Sequence, residues 1–368
     1  MPKNFKRKRL LYSALTFALA WTSFALIYAM IERGILGSSS HYPGTKNPYN
    51  FTDNVLYVPA FSFIIGFIQG WLEFTLLKNW LRSRPIIIRI LAKTLFYVIF
   101  IVFFMVMMSF IINSRALGLS PFDLKVIRTV GIFFRDFAFW SIIIYIYVVL
   151  NVTLLFYETS HYLGQTTFKN LVLGKYTRPF EESRIFMFLD MKSSTKIAEQ
   201  IGHEAYFNLL KDVFSDMTQA IEHNAGEVYQ YIGDEIVISW SETTGIKDNR
   251  CLQCFIDILN QFERKQSSYL QKYQVAPVFK AGLHLGTVAT GKIGILKKNI
   301  IYTGDVLNTT ARIQELSKKL KVYVLFSEDL KRKLNIPESF SVVPHGQFEL
   351  RGRNQPIELY SLTIPARM

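Results

Sequence analysis

The sequence predicts a chain of two halves: an α-helical membrane half with four spans, followed by an α+β half with a mixed sheet. Its 368 residues are enough for two domains by the usual length prior. Half of the residues are hydrophobic and 15% are aromatic. This apolar excess is concentrated before residue 158, which indicates a membrane half rather than one large core. From Arg184 onward, short apolar runs alternate with segments of helical spacing, as in an α+β domain.

Four apolar runs are long enough for a helix to cross a bilayer, which takes about 20 residues. They cover residues 10–31, 55–77, 94–112 and 137–157. The first run is longer than the apolar region of a signal peptide and shows no small-residue cleavage site, so we expect a retained helix. Glu73 and Asn151 lie inside these runs. Polar groups there are costly and often functional, although packing inside the bundle is the plainer expectation.

Lys and Arg residues favour one side of the predicted membrane. Five lie in the N-terminal segment 3–9, and five lie in 78–93, between the second and third spans. The first loop, 32–54, and the third loop, 113–126, carry two each. Because positive residues mark cytosolic loops, this pattern predicts a multi-pass protein of the cell inner membrane with both termini and the soluble half in the cytosol.

The chain is strongly basic, with a formal net charge of +14. In a membrane protein this charge indicates cytosolic loops near anionic lipid. We expect no nucleic-acid partner, because no basic stripe interleaved with aromatic residues lies outside the membrane half. Cys251 and Cys254 form a C-x-x-C, but no second pair accompanies them, so two buried thiols are expected rather than a zinc site.

We predict a membrane domain over 1–157, a connector over 158–180 and a soluble domain over 181–368. The connector is mixed and polar in composition. In the soluble part, the strand-like runs 227–232 and 235–240 flank Gly233 and Asp234, which is a hairpin signal.

Two aspartates stand where carboxylates could hold metal ions. Asp190 closes an apolar strand and precedes Ser193, Ser194 and Thr195 at a helix start, whose first amides can bind a triphosphate. Asp234 lies at the hairpin tip and converges with Asp190 if the hairpin lies beside the first strand. Mg²⁺ is usually held by one or two carboxylates together with substrate phosphates. Two such ions could deprotonate a ribose hydroxyl and neutralise a leaving pyrophosphate. Each Asp taken alone is weak evidence for this role, because Gly-Asp turns are common surface features and explain it better.

Asn308 and Arg312 lie four residues apart in a helical segment that follows Gly304, so they share one helix face. An amide beside a guanidinium can hold a sugar oxygen and a developing phosphate charge. In isolation, an exposed helix face is the better explanation of the pair.

Five segments occur in an order that carries more information than any of them alone. They are FLDMKSST (188–195), YIGDE (231–235), GLHLG (282–286), GDVLNTTAR (304–312) and LRGR (350–353). Together they resemble the catalytic domain of class III adenylate and guanylate cyclases, and the resemblance covers about the second half of the chain, from Arg184.

The resemblance implies a ferredoxin-like core and a head-to-tail homodimer with active sites at the interface. Asp190 and Asp234 match the two aspartates that bind two Mg²⁺ or Mn²⁺ ions per site. Asn308 and Arg312 match the pair that positions the ribose and stabilises the transition state, supplied by the partner subunit. Arg351 falls where the family often has a phosphate-binding lysine.

Two positions depart from the family pattern. Gln230 stands where adenylate cyclases usually have a purine-reading lysine, and Ile301 where they usually have Asp, Thr or Ser. Guanylate cyclases usually have Glu and Cys there, so the chain matches neither group. We expect both residues to contact the substrate. A Gln amide can both donate and accept, so Gln230 does not choose the base by itself, and Ile301 offers no side-chain hydrogen bond, which leaves backbone groups to read the purine.

We therefore expect a membrane-bound cyclase that converts ATP to cyclic AMP and pyrophosphate. ATP is favoured because membrane-bound bacterial-type members of the family more often use it. The alternatives are a guanylate cyclase and a non-catalytic membrane receptor whose cyclase-like domain only binds nucleotide. The sequence reveals no signal for the membrane half.

Overall fold

The computed structural model describes residues 3–41, 49–77, 84–296, 298–338, 340–351 and 355–363. They form two compact units, Met1–Phe168 and Lys169–Met368. The division falls inside the segment 158–180, for which the sequence predicts a connector; the domain borders at 157 and 181 stay a prediction.

The membrane unit consists of helices. They are α1 (Lys3–Leu36), α2 (Phe51–Thr75), α3 (Ile86–Leu117), α4 (Leu124–Arg135) and α5 (Phe137–Leu163), with α6 (Gln165–Val172) across the division. Within the described residues, four helical segments are long and apolar enough to cross a membrane. They are Leu10–Leu36, Phe51–Thr75, Ile86–Arg115 and Phe139–Ser160. Each overlaps one of the four predicted spans, which confirms the helical membrane half.

Helix α4 was not predicted, and it corrects the charge count of the third loop. Ending that loop at residue 126 left out Arg128 and Arg135, which lie in α4. On the predicted cytosolic side, the basic segment 78–93 includes Arg89 and Lys93, but both residues lie inside α3. The bias of basic residues is therefore weaker than the sequence predicts, and the orientation stays a prediction.

Small residues bring α1 and α2 into close contact. A Cβ atom on Gly66 would lie 2.7 Å from the carbonyl oxygen of Phe17, and one on Gly70 would lie 2.6 Å from the Cα of Ala14. Glycines four residues apart let two membrane helices approach this closely. Any larger side chain at either position would push α2 away from α1.

The second unit is built on one mixed sheet. Its strands are β1 (Phe180–Met191), β2 (Glu227–Ile232), β3 (Glu235–Ser241), β4 (Phe279–Ile293), β5 (Asn299–Thr303), β6 (Val324–Ser327), β7 (Ser341–Phe348) and β8 (Ile357–Thr363). Its helices are α7 (Ser194–Ile201), α8 (His203–His223), α9 (Glu242–Ile246), α10 (Arg250–Tyr273), α11 (Asp305–Lys319) and α12 (Glu328–Lys331), with a 3-10 turn at Lys247–Asn249.

The strand order is β2-β3-β1-β4-β6-β8-β7, and β5 pairs with β4. Among these strands, β4 and β6 run parallel and the other paired strands are antiparallel. Strands β1 to β4 with the helices between them give the β-α-β-β-α-β order of a ferredoxin-like core. The predicted α+β fold with a ferredoxin-like core is confirmed.

The two faces of the sheet bury different side chains because strand residues alternate between faces. Ile185, Met187 and Leu189 of β1 belong to the large core that also includes residues of α8 and α10. Phe186 and Phe188 belong to a smaller core on the opposite face, which includes Val306 of α11. Asp190 continues the second series, so its side chain lies on the face that carries α11.

Two glycines of β4 seat α11 against the sheet. A Cβ atom on Gly282 would lie 2.3 Å from the backbone nitrogen of Gln314, and one on Gly286 would lie 2.5 Å from Cγ2 of Val306. Both glycines belong to the segment GLHLG noted in the sequence. Their physical role is to fix the height and register of α11, and hence of its polar side chains.

Cys251 and Cys254 are free thiols, fully buried in α10. Burial raises the pKa of the Cys251 thiol to about 12 and that of Cys254 well above its usual value. Both thiols are therefore protonated and unreactive in the folded protein.

Candidate active site

The structure brings the two predicted aspartates together at one end of the sheet. Asp190 is the penultimate residue of β1, and Asp234 lies in the turn between β2 and β3. Because β1 pairs with β3, with Leu189 opposite Ile236, the hairpin turn lies beside the end of β1. Burial, and then the contact with Asp190, raise the pKa of Asp234. The carboxyl groups are thus close enough to share a ligand.

One oxygen of this pair is suited to a cation. Asp234 Oδ2 is buried and has no hydrogen-bond partner among the described residues. A buried acceptor left in this state is costly, and a divalent ion would satisfy it. Within the same residues, no group of three or more His, Cys, Asp or Glu side chains forms a metal site. The aspartate pair therefore fits an ion whose remaining ligands come from substrate phosphates and water.

A third carboxylate adds to the negative charge. Burial and the charge of Asp190 raise the pKa of Glu235, the residue that opens β3, to about 7. The carboxylate of Glu235 is half-buried, and Lys318 counteracts the shift. Such crowding of acids in a partly desolvated pocket is typical of a site that receives cations.

Two residues of α11 contact Asp190 and were missed in the sequence. Lys318 Nζ forms an ion pair with Asp190 Oδ2, and Gln314 Nε2 donates to the same oxygen at 3.2 Å. Gln314 and Lys318 are four residues apart, so they share the helix face that points at Asp190. That spacing on the helix that also carries Asn308 and Arg312 is the signal that could have identified them.

Asn308 and Arg312 lie on a different face of α11. An α-helix turns about 100° per residue, so these two residues lie between about 120° and 160° around the axis from Gln314. Asn308 is exposed and Arg312 is half-buried. The structure places the pair on one helix face, as predicted, but not facing the Asp190 of the same chain.

Ser193, Ser194 and Thr195 lie at the start of α7, directly after β1. Ser193 has a left-handed backbone with φ of 60° and its side chain makes no capping hydrogen bond. The Ser194 hydroxyl contacts Asp234, and this contact lowers the pKa of that carboxyl against the larger effect of burial. Thr195 is exposed. The three residues thus border the aspartate pair, with the first amides of α7 among them.

The two base-selecting candidates lie on β2 and β5. Gln230 is exposed and follows a bulge in β2, and Ile301 is half-buried in β5. Their neighbours Tyr229 and Tyr302 meet with ring centroids 4.9 Å apart, and the guanidinium of Arg184 lies 4.7 Å from the Tyr302 ring. The structure therefore joins β2 to β5 through aromatic residues that the sequence did not single out.

Arg351 is exposed, after Leu350. Gly352 and Arg353, which complete the segment LRGR, lie outside the described residues. The structure does not bring Arg351 into contact with the aspartate pair.

A ferredoxin-like domain with paired aspartates at this place is consistent with a nucleotidyl cyclase domain. In agreement, residues 176–363 match the family model described as the adenylate and guanylate cyclase catalytic domain. The chain belongs to this family, whose class III members generally depend on Mg²⁺ or Mn²⁺.

Two curated proteins illustrate the similarity. Adenylate cyclase 2 of Rhizobium meliloti (strain 1021) is 36% identical over 201 residues, which cover 55% of this chain and 55% of that protein. Adenylate cyclase of Anabaena cylindrica is 26% identical over 179 residues, which cover 48% of this chain and 36% of that protein. The chain thus spans about half or less of the length of these relatives.

The structure is similar to that of a bacterial light-regulated adenylyl cyclase. The TM-score is 0.51 with 20% identity, covering 58% of this chain and 62% of the other. At this identity the likeness concerns the fold alone.

Proposed function

We propose that the chain is a membrane-anchored adenylate cyclase that converts ATP to 3',5'-cyclic AMP and pyrophosphate. The observation that carries the proposal is the Asp190–Asp234 pair, with one buried oxygen that lacks a partner among the described residues, inside a domain of the cyclase family. Two relatives named adenylate cyclases support ATP as the substrate.

In this proposal Asp190 and Asp234 hold two Mg²⁺ or Mn²⁺ ions. When bound, the ions supply charge that favours loss of the ribose 3'-hydroxyl proton and stabilises the leaving pyrophosphate. Asp190 has to exchange its ion pair with Lys318 for this task. The first amides of α7, near Ser194, bind the phosphates. The cationic Arg351 does not contact the aspartate pair of its own chain, so in this proposal it binds the phosphates from the second copy of the chain.

The remaining catalytic groups come from a second copy of the chain. Asn308 orients the ribose and Arg312 neutralises charge that develops on the α-phosphate as the 3'-oxygen attacks it. Their position on α11, turned away from the Asp190 of their own chain, supports a homodimer in which each site uses both chains.

The proposal is tested by incubating the full chain in lipid with ATP or GTP and Mg²⁺ or Mn²⁺, and separating the products. We expect cyclic AMP from ATP. Asp212→Asn serves as the control for loss of Asp190 or Asp234 and should stay active, because Asp212 pairs with Lys272 on the surface formed by α8 and α10. Cyclic GMP as the main product would indicate a guanylate cyclase, and binding without turnover would indicate a non-catalytic receptor.

The shared site is tested by mixing two inactive chains, Asp190→Ala and Arg312→Ala. With free exchange of subunits, half of the dimers are mixed and each retains one intact site, so about a quarter of wild-type activity should return. No recovery, with mixed dimers shown to form, would contradict a site built from both chains.

We further propose that the protein resides in the inner membrane with the cyclase domain in the cytosol. A cysteine introduced at the exposed Ser39, between the first two spans, should react with an impermeant thiol reagent in intact cells. The native Cys251 and Cys254 give little background because both are buried. Labelling of Ser39→Cys only after the cells are opened would reverse the orientation.

A further inference from the structure

The membrane unit contains an apolar cavity of about 310 Å³ that the cyclase chemistry does not use. Its walls come mainly from α2 and α3. The lining residues recur every three or four positions, as one face of each helix requires. They include Phe61, Ile65 and Gln69 on α2, and Phe100 and Phe104 on α3. Trp21 of α1 and Leu150 of α5 complete the wall.

Gln69 is the polar residue of interest in this wall, and only 2% of its surface is exposed. Its Oε1 accepts a hydrogen bond from Trp21 Nε1 at 2.6 Å. Because an indole N–H can only donate, the oxygen of the amide must face Trp21, which fixes the orientation of the amide. The amide nitrogen is buried and has no partner in the part of the chain that the structure describes.

An unpaired donor is costly at this depth, because lipid supplies no water to accept its hydrogen bonds. Tyr97 also lines the cavity, and its hydroxyl already donates to Glu73 Oε1 at 3.0 Å. An ordered water would need two to four polar partners, and these walls are almost entirely apolar. An acyl chain fills apolar space but has no acceptor.

The position of Gln69 also disfavours the ester carbonyls of phospholipids. Gln69 lies six residues before the end of α2 at Thr75, or about 9 Å along the helix axis. Ester groups stay near the interface, whereas a ring compound dissolved in the lipid can reach this level. The occupant should therefore combine an apolar body with an accessible acceptor oxygen.

We propose that this cavity binds a lipid-soluble ring compound that carries a carbonyl group, the chemistry of a quinone. The carbonyl oxygen accepts from Gln69 Nε2, and the rings of Trp21, Phe100 and Phe104 contact the flat head group. The cavity volume lies at the lower end of the usual range for ligand sites, about 300–1,000 Å³, so it suits a single ring. The site is independent of the cyclase activity.

The test measures equilibrium binding of radiolabelled decylubiquinone to the full chain in phosphatidylcholine nanodiscs, after subtraction of empty nanodiscs. We expect saturable binding at one site per chain. Decylbenzene, which has the ring and the tail but no carbonyl, should displace it about three- to tenfold less effectively than unlabelled decylubiquinone does. Gln69→Leu should weaken binding about three- to tenfold, the scale of one neutral hydrogen bond. Phe63→Leu, on α2 but outside the cavity wall, should leave binding unchanged.

Three results would overturn the proposal. Equal displacement by decylbenzene, or unchanged binding to Gln69→Leu, would mean an unspecific apolar groove that lipid fills. Because Gln69→Leu also removes the acceptor of Trp21, Ile65→Phe provides a second variant that fills the cavity and keeps the amide. This variant should lose binding, and retained binding would place the ligand elsewhere even if Gln69→Leu does not fold.

Discussion

The membrane unit and the cyclase unit both bury charged side chains, but they balance them differently. In the membrane unit, two acids meet two bases. Lys93 Nζ lies 2.5 Å from Glu73 Oε2 and 3.1 Å from Glu158 Oε1, and Arg89 pairs with the other oxygen of Glu158 at 3.1 Å. Tyr97 donates to the remaining oxygen of Glu73. The carboxylate oxygens of this cluster are all paired.

In the cyclase unit, acids outnumber bases. Asp190, Asp234 and Glu235 gather at one end of the sheet, and Lys318 is the base that contacts Asp190. An oxygen of Asp234 remains without a partner among the described residues. This difference separates a closed cluster, which holds helices together, from an open cluster, which has capacity for added cations.

The largest effect is expected when the open cluster loses a carboxylate. Asp190→Ala or Asp234→Ala should reduce cyclic nucleotide formation by about a hundredfold or more, because charge stabilisation by a bound metal contributes several kcal/mol. The fold should survive, since the variant removes charge from an acid-rich place. Product formation and thermal unfolding of the purified chain measure the two quantities. Substantial residual turnover in either variant would contradict the metal assignment.

The closed cluster should respond in stability instead. Lys93→Met leaves Glu73 and Glu158 without their shared cation, and breaking a buried pair typically costs about 3–5 kcal/mol. Lys265→Met is the matched control, because Lys265 pairs with Asp216 on the surface, where an ion pair is worth about 0–1 kcal/mol. Denaturant unfolding in detergent compares the two variants. Equal losses would mean that burial of the membrane cluster does not matter.

Lys318 tests whether the open cluster has spare capacity for cations, because it is a base that already lies inside this cluster. If it competes with the metal for Asp190, Lys318→Met should tighten Mn²⁺ binding to the nucleotide-free chain by about three- to tenfold. Calorimetric titration with Mn²⁺ measures this change without relying on activity. Weaker Mn²⁺ binding in this variant would instead assign Lys318 a supporting role for the site.

The sequence predicted the aspartate pair because strand ends and hairpin tips are local features. The residues beside Asp190 and Asp234 in the sequence are enough to predict where these two aspartates lie. The positions of Gln314 and Lys318 cannot be predicted in this way, because their contact with Asp190 depends on the register of α11 across β4. That register is set by Gly282, because Gln314 itself occupies the space that a side chain at position 282 would need.

In the membrane half, the spans were predictable from apolar length, but α4 was not. Its twelve residues are too few for a span, and its apolar residues are interrupted by Arg128 and Thr129. Glu73 was visible as a polar residue in a span, yet its partners on α3 and α5 appear only once the helices are packed. The amide nitrogen of Gln69, which has no partner among the described residues, is likewise a property of packing.

The smallest effect concerns the choice of base, where the open cluster plays no part. Gln230 is exposed on β2 in the single chain, so any contact with a purine forms only when nucleotide and partner subunit close over it. Gln230→Ala should then weaken substrate binding about two- to tenfold, the scale of one neutral hydrogen bond. Gln271→Ala, at an exposed position of α10, is the matched control.

Gln230→Glu should shift the preference from ATP toward GTP. A carboxylate can accept from both N1–H and the exocyclic amine of guanine, while it repels the unprotonated N1 of adenine. Half-buried Ile301 would then line the pocket without selecting the base. The ratio of kcat/KM for ATP to that for GTP measures the shift. An unchanged ratio in both Gln230 variants would remove this residue from base selection and leave backbone groups near Ile301 as the leading candidates.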